Sequence, residues 1–286
     1  MVRSKVARRS VRVPLWAPPY PQAIERGYNA ALNGIVDQLG ALLRTEGLAA
    51  YKEALAQRDM ELRRDAWPDI IETAIGWLQF RVPLDPAMRA MRRTTTALKN
   101  FQGAAYRLFA REVMGVEAIQ SEPKLEPLME AWSMTNAKLI TSIPEQYLRN
   151  VAAQAMEYVR LGRPSSEFAA ELRKQYGLTK ARAKLIARTE TSKLNSAITR
   201  ERQEALGLDL YTWRTSKDER VRESHRALEG MTCKYSDPTV CSRDGGKTWI
   251  NRASIDGYEG DPGTDYQCRC TAQADVRAKI NALLAA

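Results

Sequence analysis

The spacing of apolar residues changes once along this chain, near residue 207, and that change limits the fold more than any other feature. Before it, apolar side chains recur three and four residues apart, the period that lines one face of a helix. Ala31, Leu32, Ile35, Leu39 and Leu42-Leu43 predict a first helix from Ala23 to Leu43. The same spacing predicts helices over 47–64, over 69–80 through Ile70, Ile71, Ala74, Ile75 and Leu78, over 86–114, and over 125–160 with a break at Pro144. Gly162-Arg163-Pro164-Ser165-Ser166 then combines a breaker with a helix start. Two helices follow, 166–176 closing at Gly177 and 179–206 capped by Thr179 and closing at Gly207. From Leu208 to Thr215 the pattern alternates and is rich in strand formers, and glycine and aspartate become frequent between 230 and 265. The expectation is an α+β chain in three parts: an extended arm over 1–21, a mainly helical N-terminal domain over 22–162, and a smaller α+β domain over 163–286.

The net charge of +10 is unevenly placed. Residues 1–13 carry Arg3, Lys5, Arg8, Arg9 and Arg12 with no acid, residues 165–286 carry 21 basic and 17 acidic residues, and the middle is left near +1. Like charges repel, and Pro14, Pro18, Pro19 and Pro21 forbid helix, so the arm reads as extended and solvated. Such an arm suits an acidic partner, DNA or protein, or serves only as a solubilising tail. No run approaches the roughly 20 apolar residues that span a bilayer, and no apolar segment follows the arginine-rich start, so a soluble chain made in the cytosol is expected. The helical half shows no metal-ligand spacing, phosphate loop or nucleophile elbow, which leaves scaffold and packing surface as its reading.

One histidine and four cysteines all fall in the last third: His225, Cys233, Cys241, Cys268 and Cys270. They surround a stretch, 230–267, too long for an ordinary loop unless something organises it. Four of these ligands suffice for tetrahedral zinc. A Cys3His site would pin the loop to the Cys268-Arg269-Cys270 strand and close every coordination position. The paired Cys-x2-Cys knuckles of common zinc modules are absent. A Cys233 to Cys241 disulfide, or four buried thiols, are the rival arrangements, and cytosolic assembly disfavours the disulfide. A single histidine excludes two-histidine metal sites and His-Asn-His nuclease chemistry, while a Cys-His nucleophile pair at Cys268 or Cys270 remains open. Asp218 is positioned to cap a helix carrying His225 toward the cysteines, with neighbouring arginines on a solvated face or against phosphate.

Ala187-Arg188-Thr189-Glu190-Thr191, Asn195, Trp213, Asp218 through His225, Leu228-Glu229-Gly230, Pro262-Gly263 and Cys268-Arg269-Cys270 form an ordered composite. Over about residues 165–275 it resembles the phage Mu F-like minor head protein family. The resemblance implies a protein present in few copies at or near the portal or capsid interior, acting in head assembly, DNA packaging or DNA ejection. Its implied partners are the portal, the major capsid protein and packaged double-stranded DNA, with no membrane and no small-molecule substrate. Its implied place is the virion head, and the host cytoplasm during assembly. By the same resemblance Asp218, Arg220, Arg222, His225, Cys268 and Cys270 match the motif, while Cys233 and Cys241 lie in a variable insert. Cys233 is the preferred fourth zinc ligand, with Asp218 or Asp265 as oxygen-donating substitutes. Arg188, Arg220 and Arg222, with the arm's basic residues, are the candidate contacts to nucleic acid or a partner. A binding role is expected; a zinc-stapled nucleic-acid-binding module, or a transferase or Cys-His enzyme, are the alternatives.

Overall fold

The computed structural model describes residues 16, 18–60, 67–114 and 122–276. Arg3, Lys5, Arg8, Arg9 and Arg12 lie outside the described residues. Helices α1 (Gln22–Leu42), α2 (Leu48–Asp59), α3 (Trp67–Trp77), α4 (Asp85–Met114), α5 (Leu125–Arg160) and α6 (Ser165–Ala205) come first, with a π-helical turn at Leu43–Gly47 and a 3-10 turn at Leu78–Arg81. The apolar stripes meet in one core that draws Leu32, Ile35 and Leu39 from α1, Ile71 and Ile75 from α3, Ile140, Tyr147 and Val151 from α5, and Phe168, Ala183, Ala187 and Ile198 from α6. Among the described residues no helix is long and apolar enough to cross a membrane.

Two expected breaks are absent, each for the same reason. Pro144 lies inside α5, where it removes the bond to the carbonyl of Ile140, yet Ile140, Ile143, Tyr147 and Leu148 are buried on both sides of it. Gly177 lies inside a continuous α6, and Thr179 bonds back to the Gln175 carbonyl at 2.8 Å instead of capping a new helix. The local cost of an interior glycine, about 1 kcal/mol, is small beside the burial of Leu172, Thr179 and Ala183 around it. Helix α6 contributes Phe168 through Ile198 to the helical core and the Gln203 side chain to the sheet. Two breaks do occur where expected. After α5, Gly162 (φ +66°) lets Arg163 N–H reach the Tyr158 carbonyl; after α6, Gly207 (φ +69°) lets Leu208 N–H reach that of Gln203.

Strands β1 (Leu210–Arg214), β2 (Thr232–Lys234), β3 (Val240–Ser242), β4 (Ile250–Asn251) and β5 (Thr271–Ala274) form one antiparallel sheet in the order β4-β3-β2-β1-β5, with a short helix α7 (Glu223–Arg226) between β1 and β2. Tyr211 and Trp213 point to the buried side of β1, as their alternation requires. The end of the arm is not solvated: Trp16 is buried against Tyr106 and Phe109, and its carbonyl accepts from Ala274 N–H at 3.0 Å.

A staple for the long 230–267 stretch is present, and it is an arginine. Arg252 is fully buried, with its guanidinium 5.7 Å from the Trp213 ring centre. It donates to the carbonyls of Val240 (3.0 Å), Tyr258 (3.2 Å) and Gly260 (2.7 Å) and to the Tyr211 hydroxyl (3.2 Å). Two points of an irregular loop and two strands, β1 and β3, are thereby tied to a single side chain.

Candidate metal centre

Three elements bring the chemistry together. Helix α7 carries His225, the turn before β5 carries Cys268 and Cys270, and α6 holds that turn from below. Along one face of α6, Thr189 accepts from Gln267 N–H, Ser192 donates to the Cys268 carbonyl at 2.6 Å, Ser196 donates to the Pro262 carbonyl at 2.6 Å, and Gln203 donates to the Ala272 carbonyl at 3.1 Å. A polar seam at helical spacing, buried under the sheet, thus satisfies backbone that no strand pairs. Cys268-Arg269-Cys270 is not itself in a strand; β5 begins one residue later.

His225 is buried, with its ring edge-on to Trp213 and its centre 4.8 Å from that of Tyr258. Its Nδ1 lies 3.4 Å from Cys268 Sγ and 3.5 Å from Cys270 Sγ, and its Nε2 lies 3.2 Å from Asp265 Oδ2. Asp265 is held in turn by Arg222 at 2.8 Å. Gly263 N–H (3.3 Å) and Cys270 N–H (3.4 Å) both donate to Cys268 Sγ, an arrangement that favours a thiolate. The bond from the Cys270 thiol, helped by His225, lowers the Cys268 pKa to about 5 against the opposing effect of burial. The reciprocal bond to Cys268, with burial, raises that of Cys270.

These residues fit a metal. The Nδ1 and two Sγ atoms all lie within 4.8 Å of one another. Tetrahedral zinc bound at ordinary lengths separates nitrogen and sulfur ligands by about 3.5 Å, which is the spacing of His225 from both sulfurs. The carboxylate on the far ring nitrogen is the usual support for a metal-binding histidine, fixing its tautomer so that Nδ1 presents a lone pair.

Of the five ligands expected from sequence, the structure gathers three. Cys233 and Cys241 face each other as direct partners across β2 and β3, outside the His225 cluster. They are free thiols rather than a disulfide. Burial pushes the Cys233 thiol up to about 12, with Arg252 opposing. Asp218 does not substitute for them: it pairs with Arg269 and its Oδ1 accepts from Arg220 N–H, shaping a turn ahead of α7 rather than capping it. Instead of a closed fourth position, the cluster borders a cavity of about 180 Å³ lined by Arg188, Asp218, Arg220, Arg222, Gln267 and Arg269. Three protein ligands beside a polar cavity leave room for water or an anion as the fourth. Arg188, Arg220 and Arg222 do converge there, but Arg188 is engaged by Glu25 and Gln267 and Arg222 by Asp265.

Sequence reasoning missed the α6 seam, Arg252 as loop organiser, and Asp265 as partner of His225 rather than a ligand. The seam had a signal, in that Thr189, Ser192, Ser196, Thr199 and Gln203 recur on one helical face.

Residues 147–273, from the middle of α5 to β5, match the family model described as Phage Mu protein F like protein. A Haemophilus influenzae protein described only as an uncharacterized protein is 34% identical over 152 residues, 53% of this chain, and the match covers 30% of that relative's length. No solved structure matches. The matched stretch contains His225, Asp265, Cys268, Cys270 and the supporting face of α6, so the likeness to the phage Mu F-like family lies in the part of the chain that builds this cluster.

Proposed function

We propose that this chain is a minor head protein of a tailed phage, bound in the virion head at the portal or capsid interior after assembly in the host cytoplasm, and acting in head morphogenesis, DNA packaging or DNA ejection. The observation that carries the reading is the family match, whose residues build the His225–Cys268–Cys270 centre. In this reading the work is binding. The helical half docks on portal or major capsid protein, and the basic arm with Arg188, Arg220 and Arg222 meets packaged double-stranded DNA. His225, Cys268 and Cys270 hold zinc, which when bound fixes α7 to the turn before β5 and so rigidifies the part of the sheet richest in irregular backbone.

The test has two arms. Purified heads of the phage that encodes the chain are analysed by quantitative mass spectrometry; absence of its peptides from heads retires the head-protein reading. Native mass spectrometry of chain purified without an affinity tag reads the metal. One zinc per chain is expected, lost in Cys268→Ser and Cys270→Ser and kept in Cys233→Ser and Cys241→Ser. Zinc kept in Cys268→Ser, or none in wild type, removes the metal centre.

A second reading, a thiol enzyme, is favoured by one observation: Cys268, His225 and Asp265 stand in the order nucleophile, base and orienting carboxylate, with the Cys268 pKa lowered. Retention of the thiol's reactivity toward alkylating agents after zinc loading would favour it over the metal centre.

A further inference from the structure

We propose that the outer face of α4 binds the phosphate backbone of duplex DNA. A near-zero net charge over the helical part conceals a local excess of positive charge. Residues 14–164 hold 18 basic and 17 acidic residues, yet the 26 residues from 86 to 111 hold six of the basic ones and none of the acidic. Lys99 is neutralised by Glu126 at 2.6 Å. Arg89, Arg92, Arg93, Arg107 and Arg111 are all exposed.

Their placement on the helix is not scattered. At 3.6 residues per turn the five arginines fall within an arc of about 100°, with Thr96 and Asn100 between them on the same face. The buried positions of α4, among them Ala87, Met91, Leu98, Gln102, Tyr106 and Phe109, occupy the other side. From Arg89 to Arg111 the rise is about 33 Å, close to the roughly 34 Å of one turn of duplex. Arg89, Arg92, Arg93, Thr96, Ala97 and Asn100 also line an open trough.

A solvated helix face normally carries its own counter-charges three or four residues away, and this chain does so elsewhere: Arg160 with Glu157, Arg163 with Glu167, Arg200 with Glu204. In α4 only Asp85, four residues before Arg89, stands at that spacing, and among the described residues no ion pair to any of the five arginines is formed. Five exposed guanidiniums on one line cost self-repulsion that a polyanion would relieve, and the planar guanidinium suits phosphate oxygens. No aromatic residue stands among them, so backbone contact rather than base stacking is the expected mode. The inference does not depend on the head-protein reading, and it adds a site on the helical half to contacts proposed there for the arm and the pocket rim.

The test is fluorescence anisotropy of a labelled mixed-sequence duplex titrated with the full chain across a salt series. Wild type should bind without sequence preference, with log affinity falling linearly against log salt. The triple variant Arg89→Gln, Arg92→Gln, Arg93→Gln should lower that slope by about 2.7, at about 0.9 for each phosphate no longer neutralised. The Lys triple should restore it. Circular dichroism checks the fold, and Arg107→Gln, expected to lower the slope by about 1, serves if the triple variant is unstable. An unchanged slope in both variants overturns the proposal while leaving binding at the pocket rim, read by Arg220→Gln, open to separate measurement. No duplex binding by wild type also overturns it, and would turn the search toward an acidic protein surface, without bearing on presence in heads.

Discussion

Replacing Arg252 by methionine keeps the volume of the side chain and removes its donors. The guanidinium makes four hydrogen bonds, two of them to carbonyls of the irregular stretch between β3 and β5, one to the Val240 carbonyl in β3 and one to the Tyr211 hydroxyl. At about 1.5 kcal/mol for each bond from a charged donor, the gross loss is about 6 kcal/mol. Relief from burying a cation returns part of this, so a net destabilisation of about 3–4 kcal/mol is expected. At about 2–4 °C per kcal/mol for a domain of this size, the melting temperature should fall by about 10 °C. Arg252→Lys should recover little, because an ammonium cannot reach four acceptors spread around a planar fork. Urea unfolding followed by tryptophan fluorescence is a suitable assay, since Trp213 lies against the guanidinium. A loss below about 1 kcal/mol at unchanged slope in denaturant would refute the claim that one arginine organises this loop, and would move the weight to the His225–Cys268–Cys270 cluster.

The Cys268 thiol, lowered in the fold to about 5, gives metal-free protein a pH dependence. A group with a depressed folded pKa contributes stability in full above its unfolded value, about 8.5 for cysteine, and loses it as pH falls through the folded value. In chelator, the stability gap between wild type and Cys268→Ser should therefore widen as pH rises from about 5 to about 8.5; a flat gap measured by urea titration would mean that Cys268 is protonated in the fold. Gly162→Ala should destabilise by about 1–2 kcal/mol, because φ is +66° and the new Cβ would stand 2.5 Å from Arg58 Nη1. Thermal melting reads this, and no change would remove the left-handed cap after α5.

How much the sequence foretold depends on the range of the interaction involved. The helical spacing of Ile70, Ile71, Ile75 and Leu78, and the alternation around Tyr211 and Trp213, are local, and the elements they predict are present. Gly162 and Gly207 act through their own φ angles and end helices where expected. Gly177 and Pro144 carry equally strong local signals but are overruled by packing from helices distant in sequence. The His225–Cys268–Cys270 cluster divides the same way. Cys268 and Cys270 are two residues apart and share a turn, and the resemblance paired them with His225. Cys233 was unplaceable because β2 register decides which way its thiol points, and a register is set by partners, not by spacing. Arg252 was invisible because nothing in an exposed-looking Asn-Arg-Ala-Ser run announces that four acceptors will converge on it.

The contact between Trp16 and Ala274 has a further consequence. β5 is the last strand of the sheet on its side, and an uncovered outer strand offers its free backbone groups to any passing chain. Trp16 takes the Ala274 N–H on that outer side, while its ring seals the gap to Tyr106 and Phe109. The segment leading into α1 therefore acts as a guard for the sheet. Removing residues through Trp16 should leave the helical core intact, yet increase self-association through β5, read by size-exclusion chromatography against the full chain.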